Sequence, residues 1–300
     1  MGDGVSLAQD RLNKPRTCVI VSYWTGRPAR RLHRLLQQMR VIEPGVPFDV
    51  VVACNGGDER PLTLPAQFDD LRPRVLNREN SHYNLGAWEY GWRHAGDYEF
   101  YLFLQDDCFL KRGGWLYDFE FRMTNDPGIG LLGEMIKYDA MTWEYLRETV
   151  YTRFLTPDPD RAEQEHPLDV YRGLCAERGI ASGETGRHVP SIIMFTSRRV
   201  LEEVGGFPLF GPSYRHAIGT EIATSKLIES RGYRVAKVTD QIFNAIGHVE
   251  WTANGIGRDT GWKAAAREAW WKSRAMVRQT LGLRSKAKRG PMAETAAATR

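Results

Sequence analysis

Two adjacent carboxylates follow an apolar run: Tyr98 to Leu104 leads through Gln105 into Asp106 and Asp107. Neighbouring carboxylates repel one another unless a cation lies between or near them, so a divalent metal is the economical explanation. The structural alternative is a strand-end turn, for which Asp is well suited. Three more apolar runs end in groups able to hold a ligand. Ser22, Tyr23 and Trp24 close the run from Cys18, and Asn55-Gly56-Gly57 closes the run from Phe48. His248 follows Ile242 to Ile246. An aromatic ring beside polar groups can stack on a nucleotide base and bond its edge, whereas a lone His is either a ligand or a hydrogen-bonded core residue. In an open α/β sheet, such positions at the carboxyl ends of strands are where ligands gather.

The elements that must position these groups are legible in the periodicity. Cys18 to Tyr23, Phe48 to Ala53 and Tyr98 to Leu104 read as buried strands, with further strands at Ile129 to Leu132, Val189 to Thr196, Arg234 to Val238 and Ile242 to Ile246. Leu32, Leu35, Leu36 and Met39 recur at helical spacing, and helices are predicted around Ala87 to Ala95, over Arg198 to Val204 and over Glu221 to Arg231. Gly86 and Gly91 would let their helix lie close on the sheet. Strands alternating with helices predict an α/β fold with a mixed, mostly parallel sheet flanked by helices. Tyr151 to Gly186 is a polar insertion without a readable period.

The ordered set of segments resembles glycosyltransferase family 2 and its GT-A-fold relatives. The resemblance runs over roughly Thr17 to His248: Val21-Ser22-Tyr23; Ala53-Cys54-Asn55-Gly56; Asn77 through Asn84-Leu85-Gly86-Ala87 to Gly91; Phe103-Leu104-Gln105-Asp106-Asp107; Arg198 to Phe207; and Thr220-Glu221 ahead of Arg231-Gly232-Tyr233. It implies a nucleoside diphosphate sugar donor, Mn2+ or Mg2+, and inversion by a carboxylate base. Residue by residue, it implies donor contacts from Ser22, Tyr23, Asn55, Asn84, Gln105 and Asp106, metal contacts from Asp107 and His248, and Glu221 as base. The structural alternative for Glu221 is an acid favoured by the dipole at a helix's first turn. Gln105 stands where the family has the first Asp of its DxD motif, and Cys54-Asn55 replaces an acidic pair. A nucleotidyltransferase is the rival enzyme, since Ser22 to Arg27 is a weak version of a phosphate loop. A non-catalytic, membrane-associated relative is the rival of another class.

The 300 residues, 42% hydrophobic and 26% charged, suffice for one large domain with a buried core. The predicted organisation is a flexible N-terminus (1–16), a GT-A-like domain (17–255), a basic amphipathic helix (256–289) and a disordered tail (290–300). Between Trp262 and Arg289 nine Lys and Arg stand against Glu268 alone, although the whole chain is only +4, so the body is net acidic. That distribution argues against a whole-surface nucleic-acid binder. Trp262, Trp270 and Trp271 beside this charge predict peripheral attachment to an anionic membrane, on the cytoplasmic face. The acceptor is then a glycan or a lipid-linked glycan, chosen by the 151–186 insertion. No run is long enough to cross a bilayer, no leader is recognisable, and Cys18, Cys54, Cys108 and Cys175 show no metal-binding spacing, so a cytoplasmic protein with reduced thiols is expected.

Overall fold

The computed structural model describes residues 14–151 and 165–253. The predicted basic helix and tail, most of the predicted flexible N-terminus and the middle of the insertion lie outside the described residues. The first apolar run forms β1 (Thr17–Trp24), buried from Thr17 through Tyr23. Such continuous burial belongs to a central strand covered on both faces. Order reaches back past the expected start at Thr17, because Arg16 pairs with Glu99 at 2.8 Å.

Strand β1 is flanked by β2 (Phe48–Asn55) and β4 (Phe100–Gln105), both parallel to it. β3 (Arg74–Arg78) extends this side as a parallel edge strand whose polar sequence hid it from periodicity. Beyond β4 the sheet continues through β7 (Ile193–Ser197), β6 (Ile129–Gly133) and β8 (Arg234–Lys237), giving the order β3-β2-β1-β4-β7-β6-β8. β7 runs antiparallel to both neighbours. Its start therefore meets the carboxyl ends of β4 and β6, bringing Ser191 and Ile192 beside Gln105.

Helix α1 (Arg30–Val41) puts its predicted stripe of Leu32, Leu35, Leu36 and Met39 against Val19 and Val21. α2 (Tyr83–Ala95) covers the other face, packed with Cys18 and Ile20. Gly91 has the close-packing role expected of it: a Cβ there would lie 2.6 Å from Cγ2 of Ile20. α3 (Tyr117–Asn125) and α6 (Arg198–Val204) complete the layers. Two short helices, α4 (Trp143–Thr149) and α5 (Pro167–Glu177), come from the middle of the chain, α5 from the unreadable insertion. There Leu168, Tyr171 and Cys175 share a core with Ile222 and Ala223 of α7 (Tyr214–Ser230).

Three boundaries differ from expectation. α7 starts seven residues before Glu221, capped by the Ser213 hydroxyl, because Gly219 and Thr220 break the apolar pattern of a helix that nonetheless buries them. β7 begins only after Pro190, which cannot donate to a ladder. The last predicted strand, Ile242 to Ile246, is mostly a turn, and β9 is Ile246–His248. β9 pairs antiparallel with the short β5 (Cys108–Leu110), setting His248 opposite Cys108, and leads into α8 (Val249–Ala253). All four cysteines are buried and unpaired. No described helix is long and apolar enough to cross a membrane.

Candidate functional site

The carboxyl ends of β1, β2 and β4, together with the residues leading into β7, open into a cleft of about 670 Å3. Ser22, Tyr23, Asn55, Asn84, Gln105, Asp106, Asp107, Glu221 and His248 all line it. Residues scattered over 227 positions of sequence thus line one cleft, Ser22, Tyr23, Asn55 and Gln105 because parallel strands end together.

The β1 and β2 end is built mostly by side chains that organise loops. The Tyr23 ring belongs to the core and its hydroxyl donates to the Arg27 carbonyl at 2.5 Å. Ser22 Oγ donates to the Leu104 carbonyl at 3.3 Å. Asn55 accepts from Arg78 at 2.6 Å and donates to the Tyr83 carbonyl at 2.7 Å, so its amide is occupied with the 78–83 loop. That loop carries left-handed φ angles at His82 (56°) and Tyr83 (52°), uncommon for such residues and held here by the Arg78 network. Trp24 stands 43% exposed at the rim, under the Arg27 guanidinium.

The β4 end is different. Asp107 and His248, both buried, approach through the β5–β9 pairing. Nε2 of His248 lies 2.7 Å from Oδ1 of Asp107, an ion-pair distance, but its hydrogen bond goes to Oε1 of Gln105 at 3.1 Å. Oδ1 of Asp107 thus has Nε2 of His248 as its close partner, and Nδ1 of His248 is buried without a hydrogen bond. Oδ2 of Asp107 is taken by Arg31 at 3.0 Å. Gln105 is held in its orientation by donating to the Ser191 carbonyl at 2.7 Å, a bond that Asn84 duplicates. Burial pushes the Asp107 carboxyl up, but His248, Arg31 and Arg27 outweigh it and hold the group below its usual range. Asp106 lacks the His248 contact: burial and the Asp107 charge push it up to about 6, with Arg27 and Arg31 pulling against them.

These residues fit a divalent cation. Oδ1 of Asp107, Oε1 of Gln105 and Nε2 of His248 converge, and oxygen with imidazole nitrogen suits Mn2+. Among the described residues no three His, Cys, Asp or Glu side chains gather as a metal centre, so a cation here would need the amide oxygen of Gln105 as a further donor. The Gln that departs from the acidic motif still presents an oxygen.

Across the cleft, Glu221 sits about two turns into α7 rather than at its first turn, which removes the helix-dipole explanation. Oε1 accepts from Nε2 of His188 at 2.8 Å, and Oε2 accepts from the amide and hydroxyl of Ser191 at 2.7 and 2.8 Å. Burial opposes ionisation, yet His188, the Lys137 charge and the Ser191 amide bring this carboxyl down to about 2. Lys137 lies over the Tyr138 and Trp251 rings, its backbone bridged to His188.

Sequence reasoning did not single out Arg31, Lys137, His188 or Ser191. Ser191, as a polar residue preceding a strand, carried a usable signal once that strand was known to be reversed. The other three carried none, since each acts through a partner at least 33 residues away or across a loop.

No family model and no curated protein matches this chain. Among solved structures it is similar to a mannosyltransferase from Pyrobaculum calidifontis in complex with GDP-mannose and Mn2+, at 16% identity and a TM-score of 0.44. The match covers 76% of this chain and 55% of that one, so the chain spans about half the length of that enzyme.

Proposed function

We propose that this chain transfers a sugar from a nucleoside diphosphate sugar to a hydroxyl of a glycan or lipid-linked glycan, with inversion. The observation that carries the reading is the convergence of Asp107, Gln105 and His248 in the same cleft as an ionised, rigidly held Glu221. Asp107, Gln105 and His248 would hold Mn2+ or Mg2+, which when bound supplies positive charge to a diphosphate leaving group. Arg27 and Arg31 add fixed positive charge near Asp106 and Asp107. Trp24 offers an exposed ring at the rim for a base, while Tyr23 and Asn55 shape that end through the loops they hold.

Glu221 receives the acceptor proton. Its Oε1 accepts only the His188 bond, which leaves a lone pair for an incoming hydroxyl. A weakly basic carboxylate suits a transfer in which the hydroxyl becomes acidic as its bond to the anomeric carbon forms. Attack from the face opposite the diphosphate gives inversion.

Attachment to an anionic cytoplasmic membrane surface is part of this proposal, supported by the nine basic residues between Trp262 and Arg289. Each contributes on the order of 1 kcal/mol near an anionic leaflet. The full chain is expected to sediment with anionic but not neutral vesicles, and a chain ending before Gly261 to stay in solution. Equal behaviour of the two discards the attachment.

The deciding experiment for the activity is incubation with a panel of nucleoside diphosphate sugars and Mn2+, reading nucleoside diphosphate release and thermal stabilisation. A nucleoside diphosphate at 100 times its Kd stabilises by about 2.7 kcal/mol. Stabilisation with release supports transfer, stabilisation without release supports the non-catalytic reading, and pyrophosphate release from nucleoside triphosphates supports a nucleotidyltransferase.

A further inference from the structure

Glu134 is a buried carboxylate that none of the chemistry above uses. It follows β6 directly and is 1% exposed. Its Oε1 accepts the amides of Ala245 and Ile246 at 3.0 and 2.8 Å, and its Oε2 accepts the amide of Asn244 at 2.7 Å. Its main-chain carbonyl takes the amide of Phe243 at 3.4 Å. Four consecutive amides are thus bound by one residue. The charge facing it is Lys111, whose ammonium is spent on the Phe243 carbonyl at 2.6 Å. Burial pushes the carboxyl up to about 7, against the pull of these amides and Lys111, so holding it there is expensive.

The turn it holds is strained: Phe243, fully buried, has a left-handed φ of 51°. A bulky residue keeps that conformation only where its surroundings over-determine it. The last amide of the turn belongs to Ile246, the first residue of β9, and two residues on stands His248. The turn fixes where β9 starts, and so which residue of β9 faces Asp107.

We propose that Glu134 is the positioning residue that sets His248 against Asp107 and Gln105. It touches neither. It acts through the Phe243–Ile246 turn, which it binds as an anion would be bound by successive amides. A neutral Gln keeps the shape but offers one acceptor oxygen where three amides need two, so the turn loses a bond and β9 its register. The consequence for turnover rests on the sugar-transfer reading, but the placement of His248 does not.

The test compares Glu134→Gln with Glu120→Gln. Glu120 is also buried, but bonds Thr17 at 2.5 Å and faces Arg16 at 3.7 Å in another part of the fold, so it reports loss of a buried carboxylate away from the turn. Imidazole 1H–15N signals of His248, thermal midpoint and binding of Mn2+ alone are measured for both. The expected result is a shift of the His248 signals and about 10- to 100-fold weaker Mn2+ binding in Glu134→Gln only, the scale seen when an outer-shell partner of a metal ligand is lost. Loss of thermal midpoint in both variants with unmoved His248 signals overturns the proposal. If Mn2+ binds neither variant nor the parent, the metal reading fails while the His248 signals still decide the positioning. Should Glu134→Gln not fold, amide exchange in the unaltered protein decides. The Asn244, Ala245 and Ile246 amides must then be protected together with Phe109, and exchange at exposed-loop rates overturns the tether.

Discussion

The two sides of the cleft treat their carboxylates in opposite ways. On the β4 side, Asp106 is pushed up to about 6 and Oδ1 of Asp107 has only Nε2 of His248, shared with Gln105, as a partner. On the α7 side, Glu221 is equally buried but brought down to about 2, both oxygens engaged by His188 and Ser191. Burial alone would push all three upward. What separates them is the donors supplied, and under the proposed function that separation would divide the labour: one side for a cation, the other for a fixed negative charge.

Removing the unsatisfied side should have the largest effect. Asp107→Asn strips Arg31 and His248 of their shared counter-charge, and Mn2+-dependent nucleotide affinity is expected to fall by more than the ~100-fold attached to an outer-shell loss. Turnover should fall with it. Titration calorimetry with and without Mn2+ reads the affinity, and unchanged binding would erase the contrast between the two sides.

Glu221→Gln should lower turnover by roughly 10²–10⁴-fold, the range for general base catalysis, with donor binding unchanged. Asp106→Asn sharpens the comparison, because a carboxyl near 6 is the better-matched base on pKa alone. A larger turnover loss in Asp106→Asn than in Glu221→Gln would move the base across the cleft.

The pH dependence of stability gives the next effect. Asp106 has a folded pKa above its unfolded value, so its contribution is present below about 4 and lost as pH rises through about 6. Asp106→Asn should therefore be more stable than the parent above pH 6, by on the order of 1–3 kcal/mol. Glu221 is the reverse, its contribution present above its unfolded value and lost as pH falls towards about 2. Denaturant titrations at pH 4.5 and 7.5 check the Asp106 sign and a third at about pH 3 checks that of Glu221; a parent-minus-Asp106→Asn difference independent of pH contradicts the first. The smallest effect is expected behind the site: Gly91→Ala presses a methyl on Ile20 and should cost about 1–3 kcal/mol with little change in ligand binding.

Much of the fold was legible because buried parallel strands are continuous apolar runs, as in β1, β2 and β4, and because the α1 stripe repeats with helical period. What escaped had a local pattern at odds with its environment. β3 is polar because it is an edge, α7 buries Gly219 and Thr220, and the Phe243 turn is apolar yet not a strand. In the cleft the strand-end rule found Ser22, Tyr23, Asn55, Gln105, Asp106, Asp107 and His248, while Asn84 and Glu221 came through family resemblance. Neither route revealed that Asn55 and Tyr23 spend their polar atoms on loops.

The sequence by itself determined which groups stand at strand ends, since apolar periodicity and turn residues are local properties. Tertiary structure decided what those groups are. Asp107 and His248 meet only because β5 pairs with β9, and Gln105 turns its oxygen toward His248 because Ser191 holds its amide nitrogen. Glu221 is a fixed anion because His188 and Ser191 reach it from 33 and 30 residues away. The protonation and donor capacity of a buried group depend on the few atoms within hydrogen-bond reach, and in this cleft those atoms come from distant parts of the chain.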